Sequence, residues 1–329
     1  MIDLNRRTIL TGTVAAGAAT LIPAAGQAAA PQAGKQAAGS YRYKVGDIEV
    51  TVVTDGANRL PVTDAFVANV KKEDVNAALV AAYMEPGFFI GPYNPIVINT
   101  GSKLALVDTG TGAANFERSK GAAGQLMTNL AAAGIDAGAI DTVIISHYHG
   151  DHMNGLLKAD NSLAFPNAEI LVPANEHQYY MDDGNMSRAP KGRIEDVFKN
   201  VRRVMNADVL KRLRTYEWDK DVIPGVLAVG TPGHTPGHTS HVVSSGSSKV
   251  YVQADVTHAP YLFARNPGWH PYYDQDPVMA EATRRKVYDM LVAEKMLVQG
   301  FHYPFPSVAH VEKSGQGYRE IPVLWKTAL

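Results

Sequence analysis

Thr142-Val143-Ile144-Ile145-Ser146-His147-Tyr148-His149-Gly150-Asp151-His152 decides how the rest of the chain is read. Val143-Ile144-Ile145 is a short continuous apolar run, entered from Asp141, and predicts a buried strand over Thr142–Ser146. The polar residues follow at once. In extended backbone, side chains two apart point to the same side, so His147 and His149 can share one metal ion. Gly150 permits a turn, and Asp151 and His152 beyond it can face a second metal. The competing reading is a polar loop with satisfied histidines. Three His and one Asp within six residues disfavour it, because such groups are costly neighbours unless something holds them together.

Three further segments end in similar chemistry. Thr231-Pro232-Gly233-His234-Thr235-Pro236-Gly237-His238 is a Gly/Pro loop after a strand predicted over Leu227–Gly230, with His234 at its tip. Asp255 ends the predicted strand Lys249–Gln253, and His302 follows the predicted strand Met296–Gly300. All lie just past the C-terminal ends of strands, as the first motif does, and can converge on one rim. Taken alone, each is a weak signal, since a lone His at a strand end is more often a hydrogen-bonded structural residue.

The remaining pattern is strand-rich with intervening helices. Tyr41–Val45 and Ile48–Val53 across Gly46-Asp47, Pro95–Asn99 and Leu104–Asp108, and Ser240–Ser245 and Lys249–Gln253 read as hairpins. Glu169–Val172 and Leu213–Trp218 read as further strands. Gln125–Ala133 reads as a helix stopped by Gly134, and Ile194–Met205 as an amphipathic helix. Asp276-Pro277 starts another, with Met279, Thr283, Val287, Met290 and Leu291 on its apolar face. The order roughly repeats after residue 210. Sheets covered by helices on their outer faces, an α+β arrangement, are the layering this predicts.

Composition narrows the chemistry. The chain has 329 residues, 11 histidines and no cysteine. Disulfides, thiolate zinc sites, iron–sulfur ligation and a catalytic thiol are therefore excluded, and any metal must be held by His, Asp and Glu. Lys+Arg 31 against Asp+Glu 32 gives a formal net charge of −1, which speaks against nucleic acid as a partner. At the N-terminus, Arg6-Arg7 precedes a weakly apolar Ala/Gly/Thr-rich run to about Ile22 and small residues around Ala28–Ala30. This reads as a signal peptide of twin-arginine type over residues 1–30, hence export to the periplasm or beyond. A retained membrane anchor is the competing reading; the run is short and broken by glycines, and Pro23 ends it. Residues 31–39 read as a flexible leader and 40–329 as a single domain. Nothing else is apolar enough to span a membrane, so no stable membrane association is expected.

The six-residue motif, the Gly-His-Thr-Pro-Gly-His loop, the strand-end Asp255 and the late His302 together resemble the metallo-β-lactamase superfamily, and Asp108 in Val107-Asp108-Thr109-Gly110 matches its early strand-end aspartate. The resemblance runs from about Tyr41 to the C-terminus. It implies an αββα four-layer sandwich with a dinuclear site at one edge of the sheets. Carried over, His147, His149 and His234 would bind one metal, Asp151, His152 and His302 a second, and Asp255 would bridge. Asp108 and His238 would orient ligands by hydrogen bonds, although Asp108 reads equally as the start of a turn. Two divalent ions are implied, Zn2+ first, with Mn2+, Fe2+ or Co2+ open.

Within the superfamily, the absence of cysteine separates this chain from the Cys-ligated β-lactamases. Its charge and length separate it from RNA-processing members. Leu104–Gly110, Ala164-Phe165-Pro166-Asn167-Ala168, Gly233–Thr239 and Gly315–Pro322 resemble the methyl parathion hydrolase-like and quorum-quenching lactonase branch. That branch implies an exported hydrolase using a metal-bridging hydroxide on small lactones, aryl esters or organophosphate triesters, with Asp151 or Asp255 as candidates to return a proton. A metal-binding sensor with little turnover and a glyoxalase II-like thioesterase stay open as alternatives, as does a homodimer. Phe116, Tyr179, Tyr180, Phe198 and Trp269 are expected to line an aromatic substrate pocket, with a place in the core as the competing reading. Ala113–Gly124 and Thr257–Tyr273 depart from the branch and should border the site.

Overall fold

The computed structural model describes residues 33–34, 36–37 and 39–329. The signal-peptide reading lies outside the described residues. Strands β1 (Ser40–Val45) and β2 (Ile48–Val53) form the first hairpin, β3 (Gly56–Pro61) and β4 (Phe88–Tyr93) a two-stranded arm, and β5 (Ile96–Asn99) and β6 (Leu104–Val107) the next hairpin. Next come β7 (Thr142–Ile144), β8 (Glu169–Pro173) and β9 (Leu213–Tyr216). The second half supplies β10 (Asp221–Ile223), β11 (Val226–Gly230), β12 (Thr239–Ser245), β13 (Ser248–Val252), β14 (Leu297–Gln299), β15 (Val308–Ser314) and β16 (Gly317–Pro322). One sheet runs β1-β2-β5-β6-β7-β8-β9 and the other β10 through β16 in sequence order.

Period-2 alternation builds the layers. Ile144 points between the sheets and packs with Val50, Ile98, Val107, Val226, Val243 and Val252. Its neighbours Val143 and Ile145 point outward to Leu130, Tyr180, Phe198 and Val201 of the helices Leu126–Ala132, Ala174–Met181 and Arg193–Val204. The outer face of the second sheet is covered by the helix Pro277–Glu294 through Val287, Tyr288 and Leu291. The result is two facing sheets with helices on their outer faces, the four-layer sandwich that the resemblance implies. A strand buried on both faces reads as a continuous apolar run, which is why Val143-Ile144-Ile145 carried so much information.

Two readings change. The buried stripe of Pro277–Glu294 is Ala280, Arg284, Val287, Tyr288 and Leu291, while Met279 is exposed. An arginine occupies a core position there, which a search for apolar residues passes over. Also unforeseen is the arm β3–β4, whose residues do not alternate cleanly. No helix of the described residues is long and apolar enough to cross a membrane.

The two sheets are also joined by a polar contact. Tyr216 of β9 donates its hydroxyl to Ile145 O at 2.9 Å and meets His241 Nε2 of β12 at 3.1 Å. His241 is fully buried and its Nδ1 has no partner. Burial drops its pKa to about 3, so the folded chain keeps it neutral where the unfolded chain, near 6.5, takes a proton. That difference removes stability as pH falls from 6.5 toward 3. Between pH 7 and pH 5, the wild type should therefore lose about 2 kcal/mol more than His241→Gln. Urea unfolding at both pH values measures it, and parallel losses in the two proteins would contradict this account.

Candidate metal centre

Four strand ends deliver the polar residues to one edge of the sandwich. The β7 strand leads into His147 and His149, with Asp151 and His152 in the helical turn Gly150–Met153. The β11–β12 loop carries His234 and His238, the end of β13 leads to Asp255, and the end of β14 to His302. Gly237 is required in its loop, because a Cβ there would sit 2.2 Å from Glu176 N.

Asp255 is the hub. Its Oδ2 lies 3.2 Å from His234 Nε2, 3.2 Å from His302 Nε2 and 3.8 Å from His147 Nε2, and its Oδ1 lies 3.2 Å from His152 Nε2. Asp151 Oδ2 is 3.4 Å from His302 Nε2 and 3.7 Å from His152 Nε2. His149 Nδ1 is 3.1 Å from His147 Nε2 and 2.8 Å from His234 Nε2. Three overlapping sets of donor atoms result among the described residues, His147-His149-His234-Asp255, Asp151-His152-His302 and Asp255-His258-His302, each gathered closely enough to hold one metal ion.

Partners behind the rings fix which nitrogen faces inward. His152 Nδ1 donates to Asp108 Oδ2 at 2.7 Å, His234 Nδ1 to Asp274 Oδ1 at 2.9 Å, and His302 Nδ1 to Pro92 O at 2.8 Å. Asp108 is itself held by the N–H and hydroxyl of Ser146, both at 2.8 Å. It sits at φ 62, so the orienting and turn readings of this residue coexist. His238 accepts the Asp255 N–H at 3.0 Å, and its Nδ1 donates to Thr231 O at 3.1 Å. Burial lowers its pKa to about 3, matching the neutral ring that this acceptor role needs.

The donor set fits a cation. His152 Nε2 and Asp255 Oδ1 are buried, face each other and have no hydrogen-bond partner. Buried polar atoms are rarely left so, unless a ligand completes them. Imidazoles with one nitrogen anchored from behind and the other turned to a carboxylate are the usual arrangement around a metal. The electrostatics are strained accordingly. Burial, reinforced by neighbouring imidazoles, holds His147 and His149 well below the ordinary value. Although burial opposes it, Asp255 and Asp151 raise His302 to about 9. Burial also opposes ionisation of Asp255, yet His152 and His302 outweigh it and keep that carboxyl well below the usual range.

The residues expected to line an aromatic pocket do not do so. Tyr180 and Phe198 are fully buried, 4.9 Å apart between ring centres, and close the core between two helices, with Tyr179 packed beside them. Phe116 borders a separate cavity of about 210 Å³ with Met127 and Leu157, and Trp269 packs in the cluster around Phe66 and Phe263. The cavity over the histidines, about 510 Å³, is bounded instead by the β3–β4 arm (Asn58, Leu60, Phe89, Tyr93), by Asn115 and Arg118, and by Arg193, Tyr272 and Tyr273. Both departing segments, Ala113–Gly124 and Thr257–Tyr273, thus contribute to its wall. Tyr180 and Phe198 lie on helix faces turned to the sheet, whereas the arm reaches over the site.

Three residues were missed. His258 Nε2 lies 3.1 Å from Asp255 Oδ2, and its ring stacks on His302 at 4.7 Å; its spacing three after Asp255 was the available signal. Asp274, behind His234, carried no signal. Glu176 is fully buried and accepts the Tyr148 N–H at 2.9 Å, the Thr235 hydroxyl at 2.9 Å and the Gly237 N–H at 2.8 Å. It cross-links the two loops that carry His147, His149 and His234, and burial pushes its pKa up to about 7.

A sequence model described as the Metallo-beta-lactamase superfamily matches residues 90–293. N-acyl homoserine lactonase of Bacillus thuringiensis is 26% identical over 157 residues, 47% of this chain and 53% of that protein. The chain thus spans about half the length of the curated relatives it matches. Among solved structures, AidC, a dizinc quorum-quenching lactonase in complex with a product, superposes with a TM-score of 0.81 at 25% identity, over 88% of this chain and 99% of that one. The hydrolase AbOPH of the beta lactamase superfamily gives 0.80 at 28% identity, over 89% and 100%.

Proposed function

Because the chain belongs to the metallo-β-lactamase superfamily, we propose that it is a metal-dependent hydrolase that opens small lactones, with the N-acyl homoserine type foremost. The observation that carries this reading is the complete donor set around Asp255, with orphaned His152 Nε2 and Asp255 Oδ1 facing each other beneath an open cavity. His147, His149 and His234 would hold one divalent ion, Asp151, His152 and His302 another, with Asp255 between the sets. Zinc is favoured by the donor types and by the dizinc lactonase that this chain resembles. Such ions supply Lewis acidity and make water nucleophilic near neutral pH.

The chain's own residues divide the remaining work. Both carboxylates border the cavity, but the Asp255 side chain is hemmed in by imidazoles and 2% exposed, whereas that of Asp151 is 27% exposed. Asp151 is therefore the carboxylate placed to take a proton from the attacking water and pass it to the departing alkoxide, through the oxygen not turned to His152 and His302. Asp255 serves to keep the histidines facing inward. Leu60 and Phe89 offer apolar wall for an acyl chain or ring, and Tyr93 stands edge-on to His302 at 5.5 Å.

Initial rates of metal-analysed protein on matched panels of acyl-homoserine lactones, aryl lactones, aryl esters and aryl phosphotriesters test the proposal. A kcat/KM preference for lactones above tenfold, equal to 1.4 kcal/mol, is the expected result. A like preference for phosphotriesters or aryl esters would replace the lactone reading. Two bound metals with no turnover on any panel would leave a binding protein instead.

A further inference from the structure

His149 and Arg193 stand side by side on the cavity wall. His149 turns Nδ1 toward the ring nitrogens of His147 and His234, and its Nε2 faces the opposite way, 3.5 Å from Arg193 Nη1. A histidine that gives its Nδ1 lone pair to a cation carries its hydrogen on Nε2, and a guanidinium offers donors only. Two donors therefore meet with no acceptor between them. Arg193 forms no ion pair among the described residues; its other nitrogen, Nη2, donates to Tyr273 O at 3.1 Å. It is half-buried at the start of the helix Arg193–Val204, with the Tyr272 ring 5.9 Å away. A guanidinium partly out of water and without a carboxylate is costly unless an anionic or carbonyl oxygen completes it.

We infer that Arg193 Nη1 and His149 Nε2 together bind a non-reacting carbonyl oxygen of the substrate, the amide oxygen of an α-amido lactone. The ring of His149 separates this pair from the nitrogen cluster, so the oxygen it takes is not the one being attacked. Such a contact is present in the ground state and the transition state alike, and it acts mainly on KM. The inference rests on the hydrolase reading and names the feature by which that site would select its lactone.

The test compares metal-loaded wild type, Arg193→Gln and Arg193→Lys on two probes. These are N-hexanoyl-α-amino-γ-butyrolactone and an α-alkyl-γ-butyrolactone of equal chain length, which lacks the amide. Metal content and thermal melting are recorded for each protein. The expected result is that Arg193→Gln lowers kcat/KM for the amide lactone about tenfold more than for the alkyl lactone, chiefly through KM. Arg193→Lys, which keeps the charge but loses the planar fork, should recover part of the difference. Equal losses on both lactones, or a loss in kcat alone, overturn the inference while leaving the hydrolase reading in place. A metal-loaded wild type that opens neither lactone overturns both.

Discussion

Replacing Asp255 with alanine should abolish turnover and metal retention together. The expected fall in kcat/KM lies well beyond the ~10–100-fold that loss of a group behind a metal ligand costs. Metal content should drop from the two equivalents proposed above to one or fewer. The reason is geometric. One carboxylate sits within 3.8 Å of ring nitrogens from His147, His152, His234, His258 and His302. No other side chain among the described residues belongs to both the His147-His149-His234 set and the pairing with His258 and His302. Alanine removes the one carboxylate that all five of those rings share and leaves them to repel one another whenever protonated. Asp255→Asn keeps the shape and one acceptor but not the charge, and should fall between alanine and wild type in metal affinity. Elemental analysis after dialysis, paired with initial rates on the best lactone, provides both readings. Full metal occupancy with near-normal turnover in the alanine variant would remove Asp255 from the centre of the mechanism.

The chemistry was legible in the sequence because it is local. His147, His149, Asp151 and His152 sit within six residues, directly after a strand that betrays itself by apolar continuity. His234 is framed by glycines whose need is steric, Gly237 lying against Glu176. What surrounds the site was not legible, for physical reasons. Tyr180 and Phe198 look like pocket aromatics, but they lie on the inner faces of two separate helices that pack together against the sheet. Leu60, Phe89 and Asn58 reach the cavity from an arm whose strands lack clean alternation and pair across a long excursion in the chain. Glu176 and Asp274 act through distance-independent pairing, Glu176 joining residues 28 and 61 positions away. No spacing rule predicts such contacts.

Arg284→Met should destabilise the protein by about 3–5 kcal/mol, the cost of leaving a buried charge without its partner. Arg284 is among the largest fully buried side chains and occupies the inner stripe of the helix Pro277–Glu294. Its Nη2 meets Asp274 Oδ2 at 2.9 Å, Nη1 donates to Pro267 O at 2.7 Å and Trp269 O at 3.1 Å, and Nε donates to Val256 O at 3.0 Å. The same Asp274 holds His234 through its other oxygen. Methionine fills much of the volume but satisfies none of these acceptors, so three carbonyls and a carboxylate lose their donor in one step. The effect should reach the metal centre, because Asp274 freed from Arg284 no longer fixes the ring of His234. Asp274→Asn in the Arg284→Met background removes the stranded charge and should recover part of the stability but not the metal affinity. Urea unfolding of the metal-free proteins isolates the stability term, and competition with a chelator reads the metal site. A loss below about 1 kcal/mol, inside the range of an exposed ion pair, would mean that the buried arginine is no keystone.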